Sequence, residues 1–284
     1  MKALVRSLLR RVLPLTGLRG RHKLADRLGG WAMPDPAVEV LPINGIGIEI
    51  DHRLSTCRHM YYGIYEESFV HFLERILKPG DVVFDLGANI GYIMAVAHGL
   101  VGRSGLVAAF EPSRICHGQI MRNNPVLPDG VKLFNAAIME RSGSFPFMDT
   151  PRVISSGFSV LFHNREAGPD DQVYEVEAIS IDDAAQRLNV ERIACIKMDI
   201  EGAELIALKG AQRVLSSGMV DHVLVETTNM SDSVRAENER IIALLEGHGY
   251  KPHLPDRLGH LHPWTIDLDK RFRTDIIWKR GALN

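Results

Sequence analysis

The sequence predicts an α/β fold in which a mainly parallel, doubly wound sheet carries helices on both faces. Three observations support this prediction. Residues 82–86 form a largely apolar run that leads into Gly87 and Gly91, and a helical pattern follows. Residues 106–110 form a second apolar run that ends at Glu111. Further apolar runs then alternate with helical patterns, which is typical of parallel strands joined by crossover helices.

Length and composition are those of an ordinary globular protein. The chain has 284 residues, of which 45% are hydrophobic and 24% are charged. This length suits one large α/β domain with an appendage, or two small domains. We assign residues 1–60 to an N-terminal extension and residues 61–284 to the main domain. The net charge of −2 gives no reason to expect a nucleic-acid partner.

The N-terminal extension is basic. Residues 1–30 contain eight Lys and Arg and a single acid, Asp26, which gives a local charge of +7. The pattern of residues 2–13 predicts an amphipathic helix, which can contact a membrane surface or pack against its own domain or a second subunit of a homodimer. We favour packing, because one short basic helix anchors weakly. A loose connection over 14–36 and a β-hairpin within 38–50 are expected to follow.

Cysteine use and hydropathy indicate the compartment. Cys57, Cys116 and Cys195 are scattered and form no metal-binding or disulfide spacing. A reducing, cytoplasmic location is therefore expected. No apolar stretch reaches the ~18 residues of a membrane-spanning helix, and the basic start lacks the apolar core and cleavage site of a signal peptide.

The segment from Asp85 to Gly91 predicts a ligand-binding loop. A glycine loop between a buried strand and a helix lets backbone N–H groups approach a ligand closely. Glu111 stands at the tip of the next strand, where an acid can bind the ribose hydroxyls of a nucleotide. In the dinucleotide motif G-x-G-x-x-G a middle glycine allows approach to a pyrophosphate, but here that position is Asn89. A cofactor with a ribose and no pyrophosphate, such as S-adenosylmethionine, fits better.

The remaining elements continue the alternation. Helices are predicted at about 68–78, 113–124, 181–188, 200–215 and 236–246, and strands at about 131–138, 193–199 and 222–226. Residues 250–254 and 274–279 can close the sheet as an antiparallel pair. Residues 142–178 are interpreted as an insertion, formed by a hairpin and a mobile loop that can act as a lid.

Four motifs occur in the order found in a known family. They are residues 85–92 (DLGANIGY), 110–112 (FEP), 135–137 (NAA) and 197–204 (KMDIEGAE). Together they resemble the FkbM-type methyltransferases, which depend on S-adenosylmethionine, and the last block is the most specific. The resemblance covers about 61–226 and leaves the N-terminal extension outside.

The resemblance implies a Rossmann-like class I methyltransferase fold, with a seven-stranded sheet whose last strand is antiparallel. It implies methyl transfer, usually to a hydroxyl of a sugar or a secondary metabolite. It also implies that the glycine loop lines the methionine part of the cofactor, that Glu111 holds the ribose, and that Asn135 and Ala136 flank the adenine. Asp85 can orient the loop and offset the cationic end of the cofactor, or it can be a cap near the helix. The expected cofactor site comprises Asp85, Gly87, Ala88, Asn89, Gly91, Glu111, Pro112, Asn135 and Ala136.

Three carboxylates are the expected catalytic residues: Asp199, Glu201 and Glu226. Asp199 and Glu226 end the fourth and fifth main strands, and Glu201 begins the helix after the fourth, at the edge where open α/β sheets bind ligands. A neutral hydroxyl needs a base, or a metal that lowers its pKa. Asp199 can be that base, a metal ligand or an anchor for the cofactor's amino group, or else a helix N-cap. Glu201 and Glu204 can instead be first-turn acids that the helix dipole stabilises.

Other residues leave alternatives open. His163, in the insertion, is a candidate base, although a loop histidine is more often solvated. Tyr61, Tyr62 and Tyr65 can close over the cofactor or pack against the following helix. No spacing dictates a divalent metal, and none is expected.

The leading hypothesis is O-methylation of a hydroxyl on a glycan or small-molecule acceptor. N-methylation of a small amine is a second hypothesis, since an amine needs no strong base. A third is a nucleoside-binding regulator without turnover. A dehydrogenase is disfavoured, because Asn89 stands where the dinucleotide-binding motif has its middle glycine.

Overall fold

The computed structural model describes residues 1–15, 17, 19–149 and 168–281. The helices are α1 (Lys2–Val12), α2 (Arg21–Leu24), a π-helix (Ala25–Gly29), α3 (Ser55–Tyr61), α4 (Glu67–Ile76), α5 (Tyr92–Val101), α6 (Arg114–Asn123), α7 (Ile181–Arg187), α8 (Glu204–Lys209), α9 (Gln212–Ser216) and α10 (Asp232–Gly247). The strands are β1 (Val38–Ile43), β2 (Ile46–Asp51), β3 (Val82–Leu86), β4 (Leu106–Phe110), β5 (Val131–Phe134), β6 (Ala136–Ile138), β7 (Gly143–Asp149), β8 (Gln172–Ile179), β9 (Cys195–Met198), β10 (His222–Thr228), β11 (Tyr250–Pro255), β12 (Leu261–Pro263) and β13 (Arg273–Arg280).

The main sheet has the strand order β12-β11-β13-β10-β9-β3-β4-β5. The five strands from β10 to β5 run parallel, and β13 is antiparallel to β10. The predicted Rossmann-like α/β fold and its antiparallel last strand are therefore confirmed. The described sheet has eight strands rather than the expected seven, because the short β12 pairs with the edge of β11.

The central strands are covered on both faces. Val83 packs with residues of α4 and α5 on one face, whereas Phe84 packs with residues of α8 and α10 on the other. Strands buried on both faces are nearly continuous apolar runs, which is why β3 and β9 were recognisable in the sequence. Asp85 and Lys197 are the exceptions, since both are buried and they lie opposite each other in the β3–β9 register.

The strand predicted over 131–138 divides into two, so that prediction is wrong in part. β5 ends the main sheet, whereas β6 belongs to a separate three-stranded sheet of order β6-β8-β7. The break falls at Asn135, whose Nδ2 donates to the carbonyl oxygens of Glu111 (2.8 Å) and Pro112 (3.0 Å). The predicted hairpin of the insertion is confirmed as the antiparallel pair β7–β8. Its loop, including His163, lies outside the described residues.

The single helix predicted over 200–215 is also wrong in part. It consists of α8 and α9, which are separated at Gly210. A Cβ at Gly210 would overlap the Met139 carbonyl oxygen, so the chain approaches β6 too closely for a larger residue. The helical segment is therefore interrupted where it contacts the end of β6.

The N-terminal extension packs on the main sheet's hydrophobic core. Leu9 of α1 and Leu13, which directly follows this helix, belong to the same buried cluster as residues of α4 and β3. The β1–β2 hairpin is confirmed, with Asn44 and Gly45 at positive φ in its turn. The loose connection expected over 14–36 instead contains α2 and the π-helix, and α3 was not predicted. The domain boundary at residue 60 stays a prediction.

Cys57, Cys116 and Cys195 are free and buried. None of the described helices combines the length and the apolar character needed to cross a bilayer.

Candidate active site

The glycine loop joins the carboxyl end of β3 to the start of α5. Gly87 and Gly91 have positive φ angles of 82° and 88°, and Asn89 between them also has a positive φ. A Cβ at Gly87 would overlap the Asp199 carbonyl oxygen at the end of β9. The amides of Gly87 and Ala88 both donate to the Phe110 carbonyl over 3.0 Å. The loop is therefore fixed across the carboxyl ends of three adjacent strands.

Glu111 is held between this loop and the start of α6. Its Oε2 accepts from the Asn89 amide over 2.7 Å, and its Oε1 accepts from the Ser113 amide over 2.9 Å. Burial raises the pKa of Glu111 to about 7, although both amides act in the opposite direction. The carboxylate is thus fixed where the sequence predicts the ribose-binding acid.

Asn135 and Ala136 lie beside this acid, at the break between β5 and β6. The Asn135 amide group holds the backbone of Glu111 and Pro112, as described above. Ala136 is buried at the start of β6. Asn135 therefore fixes the backbone that follows β4, and the contact of these residues with an adenine stays a prediction.

Asp85 is fully buried in β3. Neither of its carboxylate oxygens has a well-formed hydrogen bond within the described parts of the chain. Burial raises the pKa of Asp85 to about 6, opposed mainly by the nearby positive charge of Lys197. The Met94 amide in the first turn of α5 also acts to lower this pKa, so Asp85 lies close to the start of that helix, and the cap interpretation stays open beside the cofactor role.

Lys197 is a site residue that the functional prediction missed. It is buried, and its Nζ lies 3.0 Å from Asp199 Oδ2. Burial alone would lower its pKa, but the carboxylates of Asp199, Glu66 and Asp85 keep the pKa well above the ordinary lysine value. A lysine inside an apolar strand was the available signal, because lysine is almost never fully buried without a partner.

Asp199, Glu201 and Glu226 converge as predicted. One carboxylate oxygen from each lies within 4.8 Å of the others. Asp199 is not a helix N-cap, since α8 begins at Glu204 with Ala203 as its cap. Glu201 lies outside the helix at a positive φ of 52°. Glu204 is in the first turn of α8, and its Oε1 accepts from the amides of Ile200 and Gly202.

The three carboxyl groups differ in protonation. Burial would raise the pKa of Asp199, but Lys197 and a hydrogen bond with Glu226 lower it. Burial raises the pKa of Glu226, and the charge of Asp199 adds to the effect. Burial raises the pKa of Glu201 to about 8, and the negative charges of Asp199 and Glu226 add to this effect. The cluster thus holds one stably ionised carboxylate beside two that bind protons more readily.

Two cations already face this cluster. Lys197 pairs with Asp199, and Arg273 donates to Glu226 Oε1 through Nε (2.9 Å) and Nη2 (2.6 Å). The three carboxylates are also close enough to share one metal ion. The expectation that no metal is needed stays a prediction.

The three tyrosines have different surroundings. Tyr61 and Tyr62 are buried and contact each other edge to face, with ring centroids 5.1 Å apart. Packing is thus the interpretation that their positions favour. Tyr65 contacts the Tyr92 ring and interacts electrostatically with Lys197 and Asp199, so it belongs to the charged cluster.

The fold and the site define the class of Rossmann-like methyltransferases that depend on S-adenosylmethionine. The sequence model of the methyltransferase FkbM domain matches residues 85–252, more than half of the chain. The protein therefore belongs to the FkbM methyltransferase family, and its cofactor is S-adenosylmethionine.

Three curated relatives have low sequence identity. Methyltransferase sdnD of Sordaria araneosa is 28% identical over 66% of this chain and 81% of its own length. Hexuronic acid methyltransferase AglP of Haloferax volcanii is 26% identical over 57% of this chain and 62% of its own length. The 31-O-demethyl-FK506 methyltransferase FkbM of Streptomyces tacrolimicus is 25% identical over 61% of this chain and 74% of its own length.

Proposed function

We propose that this enzyme transfers the methyl group of S-adenosylmethionine to a hydroxyl of a glycan or a secondary metabolite. The convergence of Asp199, Glu201 and Glu226 beside the glycine loop carries the proposal. A hydroxyl needs a proton acceptor as it attacks, and these carboxylates can supply one. Two relatives support the acceptor class, since one is named for a hexuronic acid and the other for an oxygen of FK506.

Glu201 is the proposed base. The hydroxyl oxygen forms a bond to the methyl carbon as the bond from that carbon to sulfur breaks, and the hydroxyl proton passes to the Glu201 carboxylate. A pKa near 8 makes Glu201 a better proton acceptor than an ordinary carboxylate. Glu201 is also half-buried, so water competes less with the acceptor hydroxyl for this carboxylate than it would at an exposed site.

Asp199 is the proposed anchor for the cationic methionine end of the cofactor. Its lowered pKa keeps it ionised, and its backbone lies against Gly87 of the loop. Glu226 hydrogen bonds to Asp199 and is held by Arg273, so it positions Asp199 for that contact. Lys197 positions Asp199 from the other side.

The remaining cofactor contacts follow the motifs. Glu111 binds the ribose hydroxyls, the backbone of residues 87–91 lines the methionine part, and Asn135 and Ala136 flank the adenine. Because Glu111 is already fixed by two amides, it needs little rearrangement to bind. A cytoplasmic location and the absence of a nucleic-acid partner also belong to this proposal.

The test is transfer of a deuterated methyl group from labelled S-adenosylmethionine to a panel of acceptors. The panel contains neutral glycosides, hexuronic acids, polyketide alcohols and small amines, and mass spectrometry locates the label. We expect label on oxygen, and we expect Glu201→Gln to slow the transfer by about 10²–10⁴-fold. Label on nitrogen that survives Glu201→Gln would support N-methylation instead. Cofactor binding without any labelled product, in the panel or in a cell extract, would support the regulator.

A further inference from the structure

The first 31 residues carry most of the exposed large apolar side chains of the described chain. Thirteen such side chains are exposed, and eight of them belong to this short segment. We call these eight the N-terminal apolar face: Met1, Leu4, Leu8, Val12, Leu15, Leu24, Leu28 and Trp31. Single exposed apolar residues are normal, but a concentration of this kind marks an interaction surface.

Helix α1 has two apolar stripes, and its own domain buries only one of them. Leu9 and Leu13 face the core, and Leu9 is only 7% exposed. Leu4 and Leu8 lie on the adjoining stripe at helical spacing, and Leu4 is 74% exposed. Packing against the domain, which the sequence favours, thus accounts for one side of the helix and leaves the other side without a described partner.

The second half of the face lies on the helical segment that follows. Lys2 Nζ is 5.8 Å from the centre of the Trp31 ring, so the start of α1 lies beside the end of this segment. The segment is fixed to the domain, because Arg21 donates to Glu67 (2.6 Å) and Arg58 pairs with Asp26 (2.9 Å). The apolar face is therefore presented by a folded support.

Charge determines which partner suits this face. Residues 1–30 hold eight basic residues and the single acid Asp26, which is paired with Arg58. Arg21 is itself paired with Glu67, so the positive charge at this surface comes from the other seven. Arg11 lies one turn from Leu8 on α1, and it is exposed. A second copy would place the same positive patch against itself across a twofold axis. Anionic lipid headgroups would instead complement it.

We propose that the N-terminal apolar face docks the enzyme on the surface of a bilayer that contains anionic lipids. The exposed leucines enter the boundary between headgroups and acyl chains, Trp31 lies at that boundary, and the surrounding Lys and Arg contact headgroup phosphates. A short basic helix alone binds weakly, but here two fixed helical elements share one surface. This inference does not depend on the acceptor proposed above.

The test is flotation of the full-length protein with vesicles of phosphatidylcholine, with or without phosphatidylglycerol. We expect the protein to float with the anionic vesicles, to be released by high salt, and to show quenching of Trp31 fluorescence by brominated lipids that Trp31→Phe removes. Leu4→Glu with Leu8→Glu should lower the partition coefficient about tenfold or more, because burial of two leucines is lost. Arg11→Gln with Lys23→Gln should weaken binding to the anionic vesicles.

Val126→Glu is the matched control, since Val126 is 87% exposed and lies far along the chain from the apolar face. It should leave flotation unchanged, and circular dichroism should show that every variant is folded. Failure to float at any lipid composition would overturn the proposal, as would an equal loss in Val126→Glu. Sedimentation velocity that shows a dimer which Leu4→Glu with Leu8→Glu dissociates would assign the face to a second copy instead.

Discussion

Lys197 Nζ lies 3.0 Å from Asp199 Oδ2, and the lysine is buried on a strand that is otherwise apolar. Glu66 and Asp85 add their charges to the same ammonium group. This one cation therefore stabilises several carboxylates that would otherwise repel each other next to the cofactor loop. Lys197 and Asp199 therefore contribute both to the stability of the sheet and to the electrostatics of the candidate active site.

Lys197→Met is expected to lower the free energy of unfolding by about 3–5 kcal/mol, because it leaves buried carboxylates without their counter-ion. Urea denaturation measures this loss. Lys251→Met, at an exposed lysine, is the control and should change stability little. Adding Asp199→Leu to Lys197→Met should recover part of the loss, and a double variant less stable than either single one would contradict the assigned pairing.

Gly87→Ala is expected to destabilise the protein through a backbone overlap. Its Cβ would overlap the Asp199 carbonyl oxygen at a φ of 82°. Gly45→Ala is a matched control, since Gly45 has a φ of 85° but open space around its Cβ position. The control should cost about 1–2 kcal/mol from the left-handed backbone alone, and Gly87→Ala should cost more. Equal losses in thermal or urea unfolding would remove the argument for a close approach.

The pH dependence of turnover should report Glu201. Its pKa is raised to about 8, so the carboxyl is protonated below that pH and becomes a base only as the pH rises through it. We expect kcat/KM to increase up to about pH 8 and then to level off. Glu201→Gln should remove this rise and reduce the rate by about 10²–10⁴-fold, whereas Glu177→Gln, at an exposed side chain of β8, should keep the profile. A flat profile in the unchanged enzyme would argue against Glu201 as the base.

Removal of divalent metals should leave the activity unchanged. Asp199 and Glu226 are already paired with Lys197 and Arg273, so the acidic cluster has positive charge without an ion. The measurement is methyl transfer before and after dialysis against a chelator. Activity that falls and returns only with added magnesium would show that the three carboxylates bind a metal.

Elements that depend only on a local sequence pattern could be predicted from the sequence. Strands such as β3 and β4 are apolar runs closed by glycine or acid, and the distance from Gly91 to Glu111 follows from one helix and one strand. For that reason the sequence alone predicts the acid at the tip of β4. The convergence of Asp199 and Glu226 also followed, because parallel strands end at one edge.

Features that depend on contacts between distant segments could not be predicted. The break at Asn135 requires the backbone of Glu111 and Pro112 as hydrogen-bond partners. The interruption at Gly210 depends on the close contact with the Met139 carbonyl. The protonation of the carboxylates depends on their burial and on the nearby charge of Lys197, and only the folded structure brings these groups together.

The central claim is that the glycine loop and Glu111 bind S-adenosylmethionine. Calorimetric titration of the cofactor tests it most directly. We expect one site per chain, competition by the demethylated product, no binding of NAD, and a Kd raised about tenfold or more in Glu111→Gln, whose amide group would oppose the Asn89 or Ser113 N–H. No heat of binding with the cofactor, or an unchanged Kd in Glu111→Gln, would contradict the account.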